Sequence, residues 1–338
     1  MERNLFFLLA VCGLAGWAGC GESAGFLVRP VTTDQRLRET VVESDPGIFL
    51  DKIALIDVEG LLINQRSSGL FGSGENPVSL LIEKLDRAAD DDAVKAVVLR
   101  ISSPGGTVQA SEVLHDAVRR FKARTGKPVI ACLTNVGASG AYYLACATGR
   151  IVAQRSTITG SIGVIIQTVN FVGTLKMLGV GTDAVVSGPM KTMGSPLKEL
   201  TAEQRAILQT IVNEYYAQFV DVVDKGRPAL DHDRVCALAD GRVYTGCQAL
   251  QLGLVDHLGT VHDAIGYAKA DAGIRAAKVV MYRRPTGYRA NVYSSTPLPM
   301  PMTQINLLNL PDADMLLLRR PNFLYLWSTD LPVAAREP

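Results

Sequence analysis

Apolar and polar positions follow two rhythms along this chain, and the switches between them mark its elements. Ile53–Leu62 (IALIDVEGLL) is aliphatic and β-branched, which predicts a strand. Gln65–Glu75 is a Ser/Gly loop. Asn76 is placed to cap a helix whose first residue is Pro77 and which continues through LLIEKLDRAADDD. Val94–Ile101 is a second buried strand, broken by Ser102-Ser103-Pro104-Gly105-Gly106, and Thr107–Ala123 is helical. Val129–Leu133 is a third strand, followed by a turn over Thr134–Gly140 and a small-residue helix, AYYLACA. Ile151–Ala153, Gly163–Ile166 and Asp183–Val186 have the composition of short strands. A long helix runs from Thr201, with Glu203 and Gln204 in its first turn, to the neighbourhood of Asp224. Shorter helices span Asp233–Ala239, start near Cys247, and span Thr260–Ala272, before a last strand at Ala277–Tyr282. Strands alternating with helices predict an α/β fold with a mostly parallel, covered sheet. No linker interrupts residues 52–284, so they are one domain.

The two ends depart from this pattern. After Arg3, Leu5–Trp17 is apolar and small residues follow, the build of an export signal and short of the ~20 residues a spanning helix needs. Residues 1–20 are read as this signal and 21–51 as a linker. Trp17-Ala18-Gly19-Cys20 resembles the lipobox of bacterial lipoproteins, with Trp17 where an aliphatic residue is usual. Lipidation of Cys20, ordinary cleavage and an uncleaved anchor all put the body of the protein on the extracytoplasmic side of a membrane. Residues 285–338 are rich in Pro and Asn, with short apolar pieces at Met315–Leu318 and Phe323–Trp327. They are expected to form a loosely structured extension, packed on its own or a neighbouring subunit, in which no chemistry is evident.

Composition narrows the function. Hydrophobic residues make up 48% and charged residues 20%, which excludes a disordered chain. Lys and Arg total 34 against 33 Asp and Glu, leaving no basic excess for a nucleic-acid partner. The six cysteines and four histidines show no metal-ligand spacing, and no metal is expected. Cys132 and Cys146 lie in apolar segments as buried thiols, while pairing of Cys236 with Cys247 stays open.

Two strand ends carry glycine-rich turns before helices, SSPGG at 102–106 and GASGA at 137–141, and both expose backbone N–H groups at a helix start. Ser139 sits where strand hands over to helix. This resembles the kind of turn that thrusts a nucleophilic Ser out of a sheet, although the pattern is not GxSxG, and from spacing alone a plain helix cap is the more ordinary reading. A Ser nucleophile needs a base. His115, His232, His257 and His262 all lie in polar or late-turn contexts that suit surface or packing roles. Lys191, in VVSGPMKTMGSP, sits among small and apolar residues where burial would lower its pKa, and an ordinary loop lysine is the other reading.

SSPGG after a strand, ASGAYYLA, TGSIGVI, SGPMKTMGSP, a long helix ending in KGR, and GRVYTGCQALQLGLVDHLG occur in this order. Together they resemble the signal peptide peptidase A family in its short, single-unit bacterial form, over residues 53–282. The resemblance implies a spiral of β-β-α units like the Clp protease and crotonase folds. It assigns Ser139 as nucleophile, Lys191 as general base and Ser161 as the residue that orients the Lys amine. Gly106 and Gly140 become the backbone donors of an oxyanion hole, and no cofactor or metal is implied. Ser102 stands where Asn or Asp is common. The implied protein is a serine endopeptidase acting on remnant signal peptides and other short hydrophobic peptides at a membrane. It forms a homo-oligomer, with eight subunits for a chain this long, and Lys191 can serve the Ser139 of a neighbour. Apolar pockets for small or aliphatic side chains would suit such substrates. A non-catalytic scaffold of the same fold is the alternative, and a crotonase-like acyl-CoA enzyme is a third reading, opposed by the export signal.

Overall fold

The structure, a computed structural model, describes residues 36–47, 50–65, 68–69, 72–73, 75–284 and 323–327. In chain order the strands and helices are β1 (Arg38–Ser44), β2 (Lys52–Glu59), β3 (Ser68–Gly69), β4 (Gly72–Ser73), α1 (Pro77–Ala89), β5 (Val94–Ser103), β6 (Gly105–Thr107) and α2 (Val108–Thr125). There follow β7 (Val129–Ala138), α3 (Gly140–Ala145), β8 (Arg150–Ala153), β9 (Ile158–Gly160), β10 (Ile165–Ile166) and α4 (Val172–Met177). A 3-10 turn at Pro189–Thr192 precedes α5 (Ala202–Gly226), α6 (His232–Leu238), β11 (Val243–Thr245), α7 (Gly246–Gln251), β12 (His257–Leu258), α8 (Val261–Asp271), β13 (Lys278–Arg283) and β14 (Phe323–Leu326).

The main sheet runs β1-β13-β2-β5-β7-β8-β12, with β9 also on β7 and β11 on β9. The neighbours from β13 to β12 are parallel, as is β7·β9, whereas β1·β13 and β11·β9 are antiparallel. The central strands look uniformly apolar in sequence because both faces of the sheet are buried. In β5, Val97, Leu99 and Ile101 join the larger core with Leu85, Leu114, Tyr142 and Phe219 from the helices of one face. Ala96 and Val98 point the other way, into a smaller core with Val261, Ile265 and Ala268 of α8. Charges inside the fold are paired. Arg100 donates to Asp57 at 2.7 Å across β5·β2, and Arg227 grips Asp256 with two bonds of 2.9 and 2.8 Å. Asp256 also accepts the Ile151 amide at 2.7 Å, fastening the end of α5 to β8. No helix among the described residues is long and apolar enough to cross a membrane.

Several expectations change. Asp183–Val186 is irregular and exposed, not a strand, because no neighbouring strand offers its backbone a ladder. Gly163–Ile166 shrinks to β10. β7 does not turn after Leu133 but continues to Ala138, held by β5 (Ser103↔Gly137) and β9 (Val136↔Ile158). Arg38–Ser44, placed in the linker by its sequence, pairs with β13. Phe323–Leu326, in the expected loose extension, is a strand. The export signal and Cys20 lie outside the described residues.

Candidate active site

Every strand of the ladder that ends near Ser139 contributes to its placement. β7 and β9 run side by side to Ala138↔Gly160, so the next residues are Ser139 and Ser161. These are the only non-glycine residues with positive φ among the described residues, at 53° and 50°. Such conformations cost roughly 1–3 kcal/mol each and persist only where the surroundings impose them. The Ser139 amide donates to the Gly160 carbonyl at 2.7 Å, and the Ser161 amide to the Arg242 carbonyl at 2.7 Å. The Ser139 carbonyl accepts from Tyr143 at 2.9 Å as α3 begins. Its side chain, however, makes no capping bond. The residue is 1% exposed, and its Oγ has no hydrogen-bond partner among the described residues. A buried hydroxyl kept out of the capping role is free for chemistry.

The SSPGG turn faces it. Gly105 has φ 103°, and its amide donates to Ser103 Oγ at 3.1 Å, so it is engaged within the turn. The Gly105 carbonyl accepts from Leu62 (2.9 Å), and Thr107 donates to the Leu62 carbonyl (2.9 Å). These bonds pin β6 and leave the Gly106 amide toward the cleft. A Cβ on Gly140 would lie 2.3 Å from Ser111 Oγ and 3.2 Å from the Gly106 nitrogen, so α3 starts hard against this turn.

One strand fills the space between the two turns. β14 is antiparallel to β6 (Leu324↔Thr107, Tyr325↔Gly106, Leu326↔Gly105) and to β10 (Ile165↔Leu324, Ile166↔Phe323). Trp327 donates to the Pro104 carbonyl at 2.9 Å. Bonded and non-bonded pairs alternate along an antiparallel ladder, so Tyr325·Gly106, two residues on, is a bonded pair. The Tyr325 carbonyl therefore takes the Gly106 amide. A Cβ on Gly105 would lie 2.0 Å from this carbonyl oxygen and 2.7 Å from the Gly140 nitrogen, and one on Gly140 would lie 3.1 Å from the oxygen. The Tyr325 carbonyl thus sits among the Gly106 and Gly140 amides, beside Ser139.

The Tyr325 side chain is fully buried. Its ring stacks on Tyr143 at 5.2 Å and tilts against Phe219 at 4.6 Å, and its hydroxyl donates to the Tyr215 carbonyl at 2.8 Å. Phe323 meets Tyr215 edge-on at 5.2 Å. His115 packs on the outer side of Tyr143 at 5.1 Å. Burial, then the nearby Arg119 charge, pulls its imidazole down to about 4, so it is a neutral packing residue at pH 7. Tyr325, Tyr143, Phe219 and Tyr215 were missed by sequence reasoning, although the alternation of FLYLW after Pro321 is a strand signal.

Lys191 lies apart. It sits in the 3-10 turn, within an exposed excursion between β10 and α5, and its side chain is exposed. The chain does not bring its amine to Ser139 Oγ. Its turn is tied to α5 through Gln204, whose amide nitrogen donates to the Pro189 carbonyl at 3.3 Å. On the far side of β14 a cavity of about 500 Å³ opens, lined by Ser161, Val164, Tyr216, Asp240, Leu326 and Trp327 among others. Cys132 and Cys146 are buried thiols, and Cys236 and Cys247 are free rather than bridged.

The chain matches the family model for peptidase family S49 over residues 121–275. It is 36% identical to a putative signal peptide peptidase SppA of Enterococcus faecium, over 72% of this chain and 70% of that one. It is 38% identical to a putative protease of Synechocystis, over 68% of this chain and 77% of the relative. Protease 4 of Haemophilus influenzae is 35% identical over 65% of this chain, which spans 34% of that longer protein. The mixed α/β architecture with its largely parallel sheet is of the Clp protease-like kind. The chain belongs to the signal peptide peptidase A group of peptidase family S49.

Proposed function

We propose that the protein is a serine endopeptidase in which Ser139 is the nucleophile and Lys191 the general base. Its substrates are remnant signal peptides and other short hydrophobic peptides, met at the extracytoplasmic face of a membrane to which the N-terminal segment holds the protein. The observation that carries the reading is Ser139 itself: a strained, buried residue whose hydroxyl has no partner among the described residues, set beside the converging amides of Gly106 and Gly140.

In this reading Ser139 Oγ attacks a peptide carbonyl and passes its proton to neutral Lys191. The amides of Gly106 and Gly140 hold the oxyanion, each worth ~3 kcal/mol by analogy with measured donors. Lys191 returns the proton to the leaving amine, and water then hydrolyses the ester. Neutral Lys requires a dry site. An exposed Lys191 in one chain acquires that site by reaching the cavity beside Ser161 in an adjacent subunit, where the Ser161 hydroxyl orients the amine. A closed homo-oligomer, an octamer for this chain length, provides the seam.

Ser139→Ala and Lys191→Ala are each expected to lower kcat on a quenched apolar peptide about a thousandfold or more. Both variants should keep the wild-type oligomer by light scattering. Near wild-type turnover by Lys191→Ala overturns the dyad.

A further inference from the structure

A nucleophilic side chain with its own base stands outside the site described above. α6 folds back on the end of α5 across a short corner. Arg227 holds that corner, donating from Nε to the Gly253 carbonyl at 2.8 Å besides gripping Asp256. Asp231 caps α6 by accepting the Arg234 amide at 2.7 Å, and Val235 and Leu238 bury its inner side. His232 and Cys236, one turn apart, share another face of α6, and Asp224 stands opposite them in the last turn of α5. The three side chains form a line. Cys236 Sγ lies 3.4 Å from His232 Nε2, and His232 Nδ1 lies 2.7 Å from Asp224 Oδ2. With Nδ1–H donating to the carboxylate, Nε2 is left bare to accept the thiol hydrogen. Asp224 Oδ1 is buried with no partner among the described residues, so His232 is the group that answers this carboxylate there. That hydrogen bond, then the charge of Asp224, raises the imidazole pKa above its ordinary value and makes it a better base. Cys236 is half-buried and the His232 side chain is 67% exposed, so the pair opens to solvent on the side of the ring.

We propose that Cys236, His232 and Asp224 form a thiol-exchange site, which takes a low-molecular-weight disulfide and keeps one half of it as a mixed disulfide on Cys236. The site does not rest on the Ser139/Lys191 reading. The Cys236 proton passes to His232 Nε2 as Cys236 Sγ attacks one sulfur of the incoming disulfide, in line with its S–S bond. The new bond joins Cys236 Sγ to that sulfur. The old S–S bond breaks, and its electron pair leaves on the other half, which takes the proton from His232 and departs as a free thiol. Cys236 is oxidised, the departing sulfur is reduced, and the disulfide itself is the oxidant. Asp224 holds the imidazolium between the two proton transfers. Acyl transfer by the same residues is disfavoured. Cys236 lies in the C-terminal half of α6, where a helix presents carbonyls rather than amides to a developing oxyanion. Disulfide exchange develops its charge on sulfur and needs no such hole. The other titratable groups near the pair are Asp233, which faces the imidazole, and Tyr216 of α5, which faces the thiol with Asp240 close by.

The test treats the reduced full-length protein with cystamine and follows each adduct over time by peptide-mapping mass spectrometry. Cys247, also free and half-buried but outside this cluster, is the internal reference. At pH 7 the Cys236 adduct should form at least tenfold faster than the adduct on Cys247. His232→Gln should slow Cys236 at least tenfold and Asp224→Asn several-fold, with Cys247 unchanged in both. A thiol without a base loses roughly a hundredfold in rate between pH 8 and pH 6, as its thiolate fraction falls. His232→Gln should show that fall at Cys236, and the wild type should lose less than tenfold. Ser139→Ala should label as the wild type does, which keeps this inference apart from the peptidase reading. Equal rates at Cys236 and Cys247 in the wild type overturn it, whatever the variants do. So does the absence of any adduct on Cys236, or an unchanged Cys236 rate in a folded His232→Gln.

Discussion

At Ser139 the backbone adopts φ 53° and ψ −120°, which a β-carbon resists, and the fold holds it there through the Gly160 and Tyr143 bonds on either side. The neighbouring glycines are there for want of space. A Cβ on Gly140 would press on Ser111 Oγ, the Tyr325 carbonyl and the Gly106 amide together. Gly140→Ala is therefore expected to lower kcat more than tenfold and stability by about 1–3 kcal/mol. Steady-state kinetics beside a denaturant titration checks both, and wild-type kcat in a folded variant would remove Gly140 from the site. The SSPGG and GASGA turns were legible in the sequence because close backbone approach leaves glycine as the only choice, and glycine is visible in one letter. The aromatic cluster was not legible. Tyr143, Tyr215, Phe219 and Tyr325 lie on two helices and a distant strand, and nothing in local spacing announces that they meet.

Helices were predicted where the start signal is local. Thr201 and Gln204, at the predicted start of the long helix, form a capping box, the Thr201 hydroxyl accepting the Gln204 amide at 3.2 Å and Gln204 Oε1 accepting the Thr201 amide at 3.3 Å. The same glutamine reaches back to Pro189 and so links the first turn of α5 to the turn that carries Lys191. Gln204→Ala should cost about 1 kcal/mol through the lost bonds of its side chain to the Thr201 amide and the Pro189 carbonyl. Under the proposed mechanism it should also lower kcat several-fold with KM nearly unchanged, because Gln204 touches the turn of Lys191 and neither β6 nor β10. A thermal melt with a kcat and KM pair measures this, and an unchanged kcat would detach the capping box from the lysine. Strands were less legible, since a strand exists only with its neighbour. Asp183–Val186 has strand-like residues and no neighbour. Phe323–Leu326 sits in a Pro- and Asn-rich region and has two neighbours, both far away in sequence.

Over the whole molecule, two half-buried groups contribute to how stability depends on pH. His115, pulled down to about 4 from 6.5, binds fewer protons in the folded chain than in the unfolded one between those values. Its contribution is complete above pH 6.5 and is lost as pH falls to about 4. Burial pushes the Asp256 carboxyl up, but the Arg227 guanidinium and the Ile151 amide outweigh this and hold it below the ordinary range. Its contribution is present above the unfolded carboxylate pKa, about 4, and is lost on further acidification. Tm should fall in two stages below pH 6.5, with His115→Phe flattening the upper stage and Asp256→Asn the lower. A series of melts from pH 7.5 to 3 would show this, and an upper stage surviving in His115→Phe would refute the assignment. The slot between β6 and β10 has a wider consequence. It is one chain thick, and both its walls demand free amide and carbonyl groups from whatever enters. Under the proposed peptidase reading, a peptide taking the place of β14 must first give up its own helix or sheet, so folded proteins are refused whatever their sequence, by the free energy it costs them to unfold locally.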